Sequence, residues 1–117
     1  MSLPLDGIKV IEIGNFIAGP FCGMLLGDMG ADVIKIERPK NGDQTRAMPP
    51  MVQGYSASFA ALNRNKRSLV LDLKQAQAIA IVRQLAKEAD VFLENNRPGV
   101  LESLGLGAQD LKAINPN

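Results

Sequence analysis

At 117 residues, 46% of them hydrophobic and 21% charged, the chain has the make-up of one small globular domain or of a part of a larger one, and its composition argues against disorder. Thirteen basic against twelve acidic residues leave a net charge of +1, so no overall field exists to recruit DNA, RNA or an anionic membrane, and any anion site has to be local. No apolar run approaches the roughly 20 residues that span a bilayer, and the N-terminus lacks the basic and apolar regions of a signal peptide. Together with a single cysteine, Cys22, which can close no internal disulfide, this predicts a cytoplasmic protein. The absence of histidine removes a zinc site and leaves Cys22 without a base to activate it, so Cys22 is read as a small apolar helix residue.

In chain order, Pro4 to Gly7 form a turn into a first strand, IKVIEI over residues 8–13, ended by Gly14. Pro20 suits a first helical position, Gly30 ends the helix, and Gly19, Gly23 and Gly27 leave one helix face nearly bare for close packing. A second strand, DVIKIE over residues 32–37, completes a βαβ unit whose crossover is right-handed. Residues 39–54 have no periodicity and form a long loop of the kind that binds or covers ligands. A short helix over 55–62 starts near Ser56 or Ser58, and Arg64, Lys66 and Arg67 precede a third strand, SLVLDL over 68–73. Ile79, Val82, Leu85, Ala86 and Ala89 recur at helical spacing within 75–89. A fourth strand over 91–94, a turn at 95–99 and short helices over 100–104 and 109–114 follow. This order predicts an α/β fold with a Rossmann-like, mostly parallel sheet and helices on both faces. A helix stopped by Asn115 and Pro116 should hand over to another strand, so the chain reads as the N-terminal part of a larger domain.

In such sheets ligands bind beyond the carboxyl ends of the strands. The residues following the strands are Asn15, Phe16, Ile17, Ala18 and Gly19, then Arg38 and Lys40, then Lys74, then Asn95, Asn96 and Arg97. Cations, amides and a helix N-terminus at one edge suit a multiply charged anion, such as a cofactor bearing phosphate or pyrophosphate, although solvated loop charges give the same pattern. Arg64, Lys66 and Arg67 should lie at the opposite edge. Gly14 and Gly19 have the P-loop gap but are followed by Pro20 and Phe21, without the lysine and hydroxyl an ATPase needs. The dinucleotide glycine fingerprint is missing, while Glu37 occupies the place of a ribose-binding acid and Arg38 beside it favours a phosphate on that ribose.

Four blocks in register, PLDGIKVIEIGNFIAGPFCGMLLGDMGADVIKIERP, GDQTR, LNRNKRSLVLDLK and ADVFLENNRPGVLESLGLG, together resemble the N-terminal part of the family III coenzyme A transferases, which include formyl-CoA transferase, carnitine CoA-transferase and α-methylacyl-CoA racemase. The resemblance covers essentially the whole chain. It implies that residues 1–117 are the N-terminal CoA-binding part of a large Rossmann-like domain, with the catalytic part and a small domain outside this chain. It further implies acyl-CoA and a small carboxylic acid as substrates, no prosthetic group, and an interlocked homodimer.

The implied CoA contacts are Phe16, Ile17 and Ala18, then Arg38, then Leu71, Leu73 and Lys74, then Asn95, Asn96 and Arg97. Arg38 and Lys74 would pair with phosphates, Leu71 and Leu73 would border the adenine, and residues 95–97 would hold pantetheine or pyrophosphate. Ile17 stands where formyl-CoA transferase carries a glutamine, and Ser103 where a basic residue is common. The transferases form an aspartyl anhydride and then a covalent thioester. None of Asp6, Asp28, Asp32, Asp43, Asp72 and Asp90 matches the motif of that aspartate, so no catalytic residue is expected here and this stretch alone should be inactive. A racemase or epimerase of the same family and a catalytically silent nucleotide-binding module are the other readings.

Overall fold

The computed structural model describes residues 1–117. Strand β1 (Lys9–Ile13) and helix α1 (Ala18–Asp28) lead into β2 (Asp32–Glu37). A 3-10 turn (Gln44–Ala47) and a hairpin of β3 (Met51–Val52) and β4 (Tyr55–Ser56) precede α2 (Ala57–Leu62). Then come β5 (Lys66–Val70), α3 (Ala76–Ala86), β6 (Val91–Glu94), α4 (Val100–Ser103) and α5 (Ala108–Ile114). The main sheet has the order β5-β2-β1-β6 and every pairing in it is parallel. From β1 the chain steps outward to β2 and β5, and α3 then carries it back to place β6 on the other side of β1. The strand order therefore reverses between β1 and β6, where a Rossmann-like sheet opens its ligand crevice.

The α/β reading holds, and the two faces of the sheet differ in kind. Alternation along the strands puts Ile11, Ile13 and Ile36 on one face, where they are buried with Val82 of α3, Leu101 of α4 and Leu106. On the face beneath α1 a smaller apolar cluster, Val10, Ala31 and Val33, serves only the amino-terminal half. Further along that face the same alternation brings Glu12, Lys35 and Glu37, all buried. Helix α1 can rest there only because position 23 is glycine, since a Cβ at Gly23 would collide with Glu12 Oε1.

Several boundaries differ from the sequence-based expectation. Helix α1 begins at Ala18, so Pro20 is its third residue rather than its first, still within the turn whose amides lack intrahelical acceptors. Strand β5 begins at Lys66 and ends at Val70, because Val33 pairs with Lys66 and the last residue of β2, Glu37, pairs with Val70. Leu71 and Leu73 therefore lie beyond the strand. The long loop carries structure of its own: Asp43 Oδ1 accepts the Thr45 N–H at the 3-10 turn. Gln53 and Gly54, at φ 51° and 82°, make the tight turn between β3 and β4, which takes Tyr55 and Ser56 out of the expected helix. Ser56 Oγ accepts the Phe59 N–H and caps α2.

Candidate functional site

A cavity of about 310 Å³ opens at the carboxyl ends of the strands, within the size range of small-ligand sites. Ile13, Ile36, Leu71, Leu73, Leu101 and Leu104 give it an apolar floor, and Arg38, Lys74 and Asn96 stand among its polar residues. The apolar side is built by β1, β2, the segment after β5 and α4, and it continues the core beneath α3. Glu37 and Asp72 also line it, and an apolar floor with cations beside it is the kind of lining that a flat heteroaromatic ring carrying phosphates would require.

Of the residues expected to contact CoA, Arg38, Leu71, Leu73, Lys74 and Asn96 line this cavity, and Phe16, Ile17, Ala18, Asn95 and Arg97 do not. Arg38 is exposed, with Nε donating to the Gly42 carbonyl at 2.9 Å, which aims its guanidinium along the loop. Lys74 is exposed, and its N–H is held by Asp72 Oδ1 at 3.1 Å. Asn96 Nδ2 donates to the Ile13 carbonyl at 3.0 Å, tying the turn after β6 to the end of β1. The carboxamide of Asn95 is committed to the backbone of Asn15: Oδ1 accepts its N–H at 3.1 Å and Nδ2 donates to its carbonyl at 2.9 Å. Added Cβ atoms at Gly14 and Gly19 would each fall within 3 Å of Asn95 Oδ1, so both glycines make room for that amide. Arg97 is exposed in its turn. Phe16 and Ile17 are 47% and 60% exposed, and Phe16 has φ 64°, a left-handed conformation that costs an L residue about 1–2 kcal/mol.

An ionic layer lies beneath α1 that strand-end reasoning missed. Lys35 Nζ sits 2.7 Å from Glu12 Oε2 and 2.8 Å from Asp43 Oδ2, and donates to the Gly14 carbonyl at 3.1 Å. Lys66 Nζ is 2.7 Å from Glu12 Oε1 and donates to the Pro20 carbonyl and to Asn63 Oδ1. The side chains of Glu12, Lys35, Asp43 and Lys66 are all at most 2% exposed, and each cation faces at least one carboxylate. Burial pushes the Lys66 ammonium below its usual range, against the pull of Glu12. Burial acts to raise the Asp43 carboxyl, but Lys35 and the bonds from Thr45 outweigh it and hold it below the ordinary value. Lys66 was expected before its strand, at the edge of the sheet opposite the candidate ligand site. Instead it is the first residue of β5 and points inward, while Arg64 and Arg67 stay outside on Asp28 and Asp32. The one signal for it in the sequence was the pair Lys35 and Glu37, two residues apart in a strand that helices cover on both sides.

Glu37 belongs to this layer too. Its carboxylate takes Arg46 Nε and Nη2 at 2.7 Å each, the Asp43 N–H at 2.9 Å and the Ser68 hydroxyl. Burial alone would raise its pKa, yet these donors bring it down to about 2. With its oxygens so engaged, Glu37 is a structural anchor at the cavity wall and not an open ribose acceptor. Cys22, read as a small apolar helix residue, lies on α1 with its side chain exposed. Ser103 is exposed, its hydroxyl turned back to the Val100 carbonyl.

Residues 5–117 match CoA-transferase family III. A succinyl-CoA:glutarate CoA-transferase of Mus musculus is 45% identical over 97% of this chain and 26% of its own length. A succinate–glutarate CoA-transferase of Agrobacterium fabrum is 47% identical over 97% of the chain and 30% of its length. Among solved structures, a CAIB/BAIF family protein from Brucella suis superposes with a TM-score of 0.91 at 46% identity, covering 98% of this chain and 32% of that one. The chain thus spans about a quarter to a third of the length of the relatives it matches. With a parallel four-stranded sheet, a cavity at its switch-point edge and a match running from residue 5 to residue 117, this chain belongs to CoA-transferase family III.

Proposed function

We propose that residues 1–117 form the N-terminal CoA-binding part of the large Rossmann-like domain of an acyl-CoA:carboxylate CoA-transferase. In this reading the enzyme moves CoA between small carboxylic acids through an aspartyl intermediate, whose aspartate and small domain come from residues outside this chain, in a cytoplasmic, interlocked homodimer. The relatives named above act on succinyl-CoA or succinate with glutarate, which favours short dicarboxylates as donor and acceptor and favours transfer over racemisation.

The observation that carries the proposal is the apolar cavity with Arg38 and Lys74 at its rim. Leu71 and Leu73 border the adenine, Arg38 and Lys74 pair with phosphates, and Asn96 and Arg97 receive the chain that follows. Phe16, Ile17 and Ala18 flank the thioester arm, with Asn95 shaping their turn from behind. Ile17 offers only an apolar surface there, so it selects by shape and cannot hydrogen-bond to an acyl group.

Calorimetric titration with CoA tests the assignment. Arg38→Ala and Lys74→Ala should each weaken binding by about 1.5–3 kcal/mol, as expected for charged hydrogen bonds. Unchanged affinity in both would return the two side chains to the status of solvated loop charges.

A further inference from the structure

The turn that carries Phe16 and Ile17 is held by its backbone to an unusual degree. Over three residues, the Gly14 carbonyl is taken by Lys35, the Asn15 N–H and carbonyl by Asn95, and the Phe16 N–H by Asp43 Oδ1 at 3.3 Å. These partners come from β2, from the loop after β2 and from the turn after β6. Asp43 is fixed in its own right: its N–H donates to Glu37, its Oδ1 also accepts the Thr45 N–H and hydroxyl, and its Oδ2 pairs with Lys35. The side chain of Asp43 is fully buried, while Phe16 and Ile17, whose backbone it helps to define, project into solvent.

Clamping a left-handed phenylalanine from a buried ion pair adds nothing to the apolar core, and a glycine at position 16 would take the same φ with no clamp. What the arrangement achieves is a fixed direction for two exposed side chains. We infer that Lys35 and Asp43 are positioning residues that set the 14–16 turn, and with it Phe16 and Ile17, for the incoming CoA thioester. The inference rests on the CoA reading above and deepens it: the buried charges act at a distance by fixing a surface that the ligand would otherwise have to order on binding.

The test combines amide hydrogen exchange by NMR with CoA titration, on the unsubstituted protein, Asp43→Ala and Asp43→Asn. Asp43→Ala should speed exchange of the Phe16 amide at least about tenfold while the amides of β1 keep their protection, and should raise the CoA dissociation constant about tenfold. Asp43→Asn keeps the shape and an acceptor but not the charge, which roughly halves the bond, so both effects should be present and smaller, about threefold. It supplies the answer should Asp43→Ala fail to fold. Phe16 exchange that does not change, or that changes only in step with the amides of β1, overturns the positioning role. Faster Phe16 exchange with CoA affinity intact also overturns it, since the turn would then be clamped to no purpose in binding. No CoA binding by the unsubstituted protein overturns the CoA reading itself, and with it the ligand named here.

Discussion

Glu37 shows how strongly one side chain can be set by its neighbours. Its carboxyl lies at about 2 against an ordinary 4.5 because Arg46, Ser68 and the Asp43 amide stabilise the charged form more than burial destabilises it. A depressed carboxyl contributes stability above its unfolded value and loses that contribution as pH falls through the folded one. For Glu37 the loss runs from about 4.5 down to about 2, and is worth up to roughly 3 kcal/mol. In urea unfolding, the stability advantage of the unsubstituted protein over Glu37→Gln should shrink by about that amount between pH 5 and pH 2. Parallel curves across that window would remove Glu37 from the acid response. At Gly23 sterics decide. Alanine there would gain about 1 kcal/mol in helix propensity, yet its Cβ would displace Glu12 from Lys35 and Lys66, so we expect a net loss of about 1–3 kcal/mol. A higher urea midpoint for Gly23→Ala would show that α1 shifts freely over the ionic layer.

At the level of elements, β1, β2, α3 and β6 were legible from their side chains: six-residue stretches rich in β-branched residues for β1 and β2, the apolar run Val91-Phe92-Leu93 for β6, and an apolar stripe at helical spacing for α3. Strand β5 was placed two residues late at its start and three late at its end, for a reason its own sequence does not contain. SLVLDL has strand chemistry throughout, but pairing is set by β2, which begins its register at Val33 with Lys66 and runs out at Glu37 with Val70. The 3-10 turn and β3 were read as part of a long loop and β4 as the start of a helix, since two-residue strands are too short to show alternation. Of the candidate site, the lining contributed by Arg38, Leu71, Leu73, Lys74 and Asn96 followed from strand ends and from resemblance. The layer of Glu12, Lys35, Asp43 and Lys66 did not, because charged residues are taken as solvent-facing unless their partners are known, and those partners come from four separate segments.

For the whole molecule, the topology explains why the site gathers where it does. The switch between β1 and β6 separates two loops that a continuous sheet would keep side by side, and Asn95 and Asn96 then bridge them to the backbone of β1 and its turn. In the function proposed above, CoA binds along this edge and the reaction centre is supplied by residues outside this chain. A direct assay of the 117-residue chain for CoA transfer and for α-proton exchange in 2-methylacyl-CoA should therefore give no turnover, and sustained turnover in either assay would refute the division of labour proposed above.

The unlike faces of the sheet also bear on temperature. Apolar burial, which holds α3 and α4 to their face, weakens as the protein is cooled. The dehydration cost carried by the ions under α1 becomes smaller on warming. Warming thus favours the side that holds the 14–16 turn, while cooling weakens the side that floors the cavity, so the two halves of the proposed CoA site respond to temperature in opposite directions.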